Sequence, residues 1–246
     1  MLLMQQHPWL RRLAGRFLVF EGPDGSGKST QFARLAEALR AAGVPVREVR
    51  EPGGTGIGER IREVLLDPAN TDMDIRCEML LYMASRAQLM AQVVRPALRA
   101  GEVVLADRFI ASTLAYQGTA GGLDAASITA VARVAVGSTW PELNLLFDVD
   151  ERTAAGRLNP LLDRMEQKGA AFHRLVREGY HRQATADPTR WVVIDATRDV
   201  DEVTASMMSA LAARFGDRSG GESHAGHPPA RVHIRRASGD VQRSPV

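Results

Sequence analysis

Residues 20–30, Phe-Glu-Gly-Pro-Asp-Gly-Ser-Gly-Lys-Ser-Thr, constrain the fold of this chain more than any other stretch. Within them, 22–29 match G-x-x-x-x-G-K-[ST], the pattern of a loop that wraps a phosphate chain. Gly22, Gly25 and Gly27 permit the tight turns that bring consecutive backbone N–H groups onto one polyphosphate. Lys28 adds a point charge for the β- and γ-phosphates, and Ser29 offers a hydroxyl to Mg²⁺. The flanks give the loop its context. Residues 16–21 form an apolar run of strand length, and 29–40 read as a helix whose N-terminal dipole would point at the phosphates. A nucleoside triphosphate is therefore the expected ligand, although the loop alone does not name a reaction.

At 246 residues the chain can bury a full core, and one domain of about 200 residues plus tails is expected. A net charge of +2 gives no ground for nucleic-acid binding, which needs clustered basic residues. The single cysteine, Cys77, rules out an intrachain disulfide, and the six histidines show no metal-ligand spacing. No run approaches a membrane span, and the first residues lack the order of a signal peptide, so a cytoplasmic, enzyme-like protein is expected.

Residues 1–15 show no clear period and read as an N-terminal extension. Strands are expected at 16–21, 44–49, 102–107, 142–149 and 190–195, with helices between them at 29–40, 74–100, 124–136, from the lid to about 184, and at 200–215. This alternation predicts an α/β fold: a doubly wound, five-stranded parallel sheet with helices on both faces and ligands at the carboxyl ends of the strands. Arg50-Glu-Pro-Gly-Gly-Thr follows the second strand, where Arg50 and Glu51 either reach the ligand crevice or belong to a plain surface turn. Tyr82 and Arg86 are four apart on one helix face, suited to holding a flat base but equally to a solvated surface. Asp107-Arg108 ends the third strand, as an acid for Mg²⁺ or its waters beside a phosphate-gripping guanidinium, or as a local ion pair. The charged, interrupted stretch 150–166 suits a short lid over phosphates, or a solvated connection. Residues 216–246 are too poor in apolar side chains to build a core and read as a disordered tail.

Together, Phe20-Glu-Gly-x-Asp-Gly-x-Gly-Lys-Ser-Thr, Arg50-Glu-Pro-Gly-Gly-Thr, Asp107-Arg-Phe-x-x-Ser-x-x-Ala-Tyr-Gln-Gly and Leu162-Asp-Arg-Met-Glu resemble bacterial thymidylate kinase in order and spacing, over 16–215. The resemblance implies transfer of the ATP γ-phosphoryl to dTMP with Mg²⁺, giving dTDP for DNA synthesis, in a cytoplasmic homodimer. Gly22, Pro23, Asp24, Gly25, Ser26, Gly27, Lys28, Ser29 and Thr30 would hold ATP, and Ser29 with Asp107 would serve the metal. Asp24 would face the acceptor near its sugar or a bound metal. Arg50 and Arg108 would grip the dTMP phosphate, while Tyr82 takes the place of the base-stacking aromatic and Arg86 that of the thymine-reading arginine. Pro52, Ser112, Tyr116 and Gln117 would complete the acceptor pocket, and Lys28, Asp107 and Arg108 would act in catalysis.

One departure from the family matters. Its catalytic arginine comes from the phosphate loop or from the lid, and here the variable loop positions Pro23, Asp24, Gly25 and Ser26 supply none. The lid must provide it, with Arg157 the first candidate and Arg152 the second. Competing readings are a kinase for another nucleotide, a nucleotide-dependent switch and an inert relative. A GTPase switch would carry Asn-Lys-x-Asp, and no Asn-Lys pair occurs.

Overall fold

A computed structural model describes residues 7–157 and 164–216. Its centre is β1 (Phe17–Glu21), buried along its whole length. Successive side chains of a strand point to opposite faces, and β1 divides accordingly. Leu18 and Phe20 join one core cluster with Leu35, Leu39, Phe147 and Leu211, while Phe17 and Val19 join the other with Met83, Val104, Phe109 and Ala132. Such a strand has no polar face, which is why its sequence reads as a continuous apolar run.

β1 is flanked by β3 (Val103–Asp107) and β4 (Leu143–Asp148), with β2 (Val46–Arg50) and β5 (Trp191–Asp195) at the edges. The order is β2-β3-β1-β4-β5 and every pairing is parallel, as the α/β pattern predicts. Register brings the carboxyl ends to one level: Phe20 and Arg50 are both opposite Asp107, and Glu21 is opposite Leu146. The chain leaves β1 to one side and, after β3, continues on the other, so the crevice opens at those ends.

The helices are α1 (Lys28–Ala41), α2 (Gly56–Leu66), α3 (Ile75–Leu89), α4 (Arg95–Arg99), α5 (Ile110–Thr113), α6 (Ala125–Val136), α7 (Glu151–Ala155), α8 (Gly169–Ala186) and α9 (Val200–Phe215). Thr55, Asp74, Asp124, Asp150 and Asp199 cap α2, α3, α6, α7 and α9 by accepting backbone N–H groups of the first turn. α1 begins without such a cap. Gly27 precedes it at φ 81°, so the orphan N–H groups of its first turn are left for a ligand.

Three expectations need correction. The long helix at 74–100 is interrupted by a π-helical turn, Met90–Val94, just before Pro96. Proline cannot donate to an α-helical ladder, and a wider turn ahead of it absorbs that break. Residues 56–66 form α2, which the sequence reading passed over. The stretch before Gly15 is not wholly outside the domain either. Pro8–Leu13 makes a 3₁₀ helix whose Leu10 and Leu13 are buried in the core cluster that also holds Leu211 of α9. Residues 1–6, part of the lid at 158–163, and the tail at 217–246 lie outside the described residues.

Candidate active site

The phosphate loop joins β1 to α1, with Gly22, Gly25 and Gly27 all at positive φ. Gly22 and Gly25 are also fixed by contact. A Cβ on Gly22 would lie 2.5 Å from Phe147 O, and one on Gly25 only 2.3 Å from Ala154 O of α7. The loop is therefore clasped between the end of β4 and the first helix of the lid. Lys28 is buried, and its Nζ donates to Pro23 O at 3.0 Å, across the loop. Burial pushes the Lys28 ammonium down, and Arg108 adds to that effect. Ser29 and Thr30 are exposed at the start of α1.

Asp24 leans out of the loop to Arg108, with Arg108 Nη2 2.6 Å from Oδ1. Burial opposes ionisation of Asp24, but the Arg108 and Lys28 charges outweigh it and hold the carboxyl well below the usual range. Arg108 has φ +67° without being glycine, a strained conformation of the kind found at functional sites. Glu21, the last residue of β1, secures that turn. It accepts from Phe109 N at 3.0 Å, Ser112 Oγ at 2.6 Å and Tyr180 OH at 3.1 Å. Burial raises its carboxyl despite these hydrogen bonds. Arg108 Nη1 donates to Tyr180 OH at 3.1 Å and its guanidinium lies over Tyr116, 5.2 Å from the ring centroid.

One pocket opens beside this cluster. Asp24, Pro52, Tyr82 and Arg86 line it, together with Arg108, Ser112, Tyr116 and Gln117. These are the residues expected on the acceptor side, with the exception of Arg50. Alternation at the end of β2 turns Val49 and Glu51 inward and Arg50 outward. Arg50 instead forms a solvent-exposed pair with Glu59 at 3.1 Å. Arg62 of α2 lines the pocket in its place, with Nη1 donating to Pro52 O at 3.0 Å. An arginine two turns into a helix capped at a glycine turn was a signal available in the sequence, once 56–66 is read as a helix.

The side of the pocket formed by Arg86 and Gln117 is held by buried acids. Arg86 is 1 % exposed and its Nε donates to Glu51 Oε2 at 2.6 Å. Burial pushes the Glu51 carboxyl up to about 7, against the pull of Arg86. Arg86 Nη1 and Nη2 each lie 3.3 Å from Thr113 Oγ1. Gln117 Nε2 donates to Glu78 Oε1 at 2.7 Å. Sequence reasoning missed Glu21, Glu78, Thr113 and Tyr180, whose partners are distant in the chain.

Asp107 ends β3 next to this turn, and its Oδ1 is buried with no hydrogen-bond partner. An orphaned carboxylate oxygen is costly unless something polar completes it. Together with the exposed Ser29 hydroxyl it gives oxygen donors of the type Mg²⁺ takes from a protein when phosphates and water supply the rest. Arg157 does not reach the loop. Its Nη1 donates to Ala196 O at 2.9 Å and Nη2 to Thr197 O at 3.4 Å, just past β5. Arg152 is exposed on α7.

The family model for thymidylate kinase matches residues 20–207. The chain belongs to the thymidylate kinase family. It is 48% identical over 204 residues to the thymidylate kinase of Deinococcus radiodurans, covering 81% of this chain and 98% of that one. It is likewise 48% identical over 201 residues to the thymidylate kinase of Pseudomonas fluorescens, covering 81% and 96%. The crystal structure of thymidylate kinase from Ehrlichia chaffeensis superposes with a TM-score of 0.66 at 31% identity, over 81% of this chain and 98% of that one. Members of the thymidylate kinase family use ATP as phosphoryl donor with Mg²⁺. The matched span contains the phosphate loop and every residue named above as lining the pocket.

Proposed function

We propose that the chain phosphorylates dTMP to dTDP with ATP by holding the two nucleotides in line across the Asp24–Arg108 contact. The observation that carries this is the pocket itself. Arg108 is 2.6 Å from the loop's own Asp24, which sets the arginine end of the pocket against the phosphate loop. Lys28 and the uncapped first turn of α1 hold the ATP phosphates. Arg62 and Arg108 grip the dTMP phosphate, Tyr82 stacks on the base, and Arg86 with Gln117 reads its edge. An oxygen of the dTMP phosphate attacks the γ-phosphorus, the bond to the β-γ bridging oxygen breaks, and ADP leaves. Ser29 and Asp107 would hold Mg²⁺, whose charge would offset that of the phosphates when it is bound. Positioning and neutralisation account for the catalysis, since little covalent chemistry is asked of the protein. Arg157 is the lid arginine we assign to the transferred phosphoryl, released from the carbonyls of Ala196 and Thr197 when ATP binds.

The test is ADP release with ATP, Mg²⁺ and a panel of nucleoside monophosphates. Selective turnover of dTMP supports the reading. Turnover of another acceptor above dTMP, or hydrolysis without acceptor dependence, refutes it. dUMP belongs in the panel because a methyl group is worth only about 1–3 kcal/mol in a pocket.

We further propose a cytoplasmic homodimer. Ile57 of α2, Leu80 of α3 and Val134 of α6 are exposed apolar side chains, Val134 at 86 %. No helix among the described residues is long and apolar enough to cross a membrane. Light scattering at micromolar concentration that returns a monomer mass would refute the dimer.

A further inference from the structure

Glu78 lies in the first turn of α3 with its side chain 1 % exposed, and the reaction described above gives it no task. Three groups converge on its carboxylate. Gln117 Nε2 donates to Oε1 at 2.7 Å, Arg164 Nη1 lies 2.6 Å from Oε2, and Lys168 Nζ lies 3.3 Å from Oε2. Arg164 lies near the end of the lid stretch and Lys168 just after it, and Arg164 Nε also donates to Leu65 O at 2.7 Å. Gln117 is the member of the cluster that lines the acceptor pocket.

A carboxylate only accepts hydrogen bonds, whereas a glutamine amide has one donating and one accepting end. With Glu78 pinned between two cations, the Gln117 amide cannot turn round. Its NH₂ must face Glu78, and its carbonyl is the end left for the pocket. Arg86 supplies the opposite character. Its two contacts to Thr113 Oγ1 are both 3.3 Å, long enough for a ligand carbonyl to take over one N–H. The pocket thus offers a donor and an acceptor of fixed sense. A pyrimidine with a 4-carbonyl and an N3–H matches both. One with a 4-amino group and a bare N3 sets donor against donor and acceptor against acceptor.

We propose that Glu78 is the positioning residue that fixes this sense, and so makes the pocket reject 4-amino pyrimidines. The inference rests on the dTMP reading of the pocket. It is tested by the ratio of kcat/KM for dTMP to kcat/KM for dCMP. In Glu78→Gln the new amide can meet Gln117 with either end, and the ratio is expected to fall by at least ~10-fold. The exchanged pair Glu78→Gln with Gln117→Glu restores an acceptor-only group at the pocket and a donor behind it. It is expected to bring the ratio back to within about threefold of wild type.

A purely structural role would lower turnover of both nucleotides in proportion, leave the ratio unchanged and gain nothing from the exchange. That result overturns the proposal. Should Glu78→Gln fail to fold, Gln117→Met decides, because it leaves Glu78 with both cations. An unchanged ratio in that variant overturns the proposal as well, and a fallen ratio is the expected result. Wild-type protein that does not turn over dTMP would instead refute the functional reading. Wild-type selectivity retained by Glu78→Gln would refute the positioning role alone.

Discussion

Replacing Gly25 by alanine asks how firmly the phosphate loop and α7 are seated on each other. Gly25 has φ +77°, and a Cβ there would lie 2.3 Å from Ala154 O and 2.9 Å from Ala154 C. The obstacle is backbone, which has no rotamer through which to yield. Gly27 is the control, since it has φ +81° and nothing within 4 Å of an added Cβ. Without nucleotide, Gly27→Ala should cost only the left-handed backbone penalty, about 1–2 kcal/mol. Gly25→Ala should cost the same plus about 1–3 kcal/mol for forcing α7 outward. In a domain of this size 1 kcal/mol moves Tm by about 2–4 °C, so a 2 kcal/mol excess puts Gly25→Ala roughly 4–8 °C below Gly27→Ala. Calorimetric melting of the two variants in nucleotide-free buffer measures the difference. Steady-state kinetics should show at least a ~10-fold lower kcat for Gly25→Ala, since a misplacement of about 1 Å can cost ~100-fold. Equal melting temperatures for the two variants would refute the seating of α7 on the loop.

Arg157→Ala should lower kcat by on the order of 10³ with little change in dTMP affinity, measured by turnover and by titration calorimetry; near-normal kcat removes Arg157 from the mechanism. Asp107→Asn should raise the Mg²⁺ concentration for half-maximal activity by roughly 10-fold or more, and an unchanged Mg²⁺ profile would discharge Asp107 from that role. The raised Glu51 carboxyl, at about 7 against an ordinary 4.5, predicts a pH effect. The folded state binds this proton more tightly than the unfolded one, so the group's contribution to stability is complete below 4.5 and is lost as pH rises through about 7. Urea unfolding at several pH values should show a flatter slope across that window in Glu51→Gln, and identical slopes would contradict it.

The sheet was legible because β1 and β3 are interior strands that read as apolar runs closed by one acid, and because the phosphate loop leaves little choice of what precedes and follows it. Most of the side chains that line the pocket stand in motifs visible in the sequence. What escaped did so for identifiable reasons. Arg50 and Glu51 are adjacent at a strand end, and only the parity of an edge strand tells which of them faces inward. Arg62 was invisible until α2 was recognised. Tyr180 and Glu21 are 159 positions apart, a separation over which no local period carries information. Leu10 and Leu13 are two apolar residues beside a proline, too few to show a helical face before the structure packs them against α9.

The Arg108–Asp24 pair has a consequence for how the acceptor enters. The guanidinium has a counterion of its own, at 2.6 Å, so it is not a bare charge waiting for a phosphate. If Arg108 grips the acceptor as proposed, binding would be an exchange of anions: the phosphate would displace Asp24, and the affinity would report only the difference between the two partners. A doubly charged phosphate wins that contest more readily than a singly charged carboxylate or an ester. The displaced carboxylate would be left in the phosphate loop beside Lys28, whose Nζ is already 4.0 Å from Asp24 Oδ1. Occupancy of the acceptor site would thereby rewrite the charge presented to ATP before the two nucleotides touch.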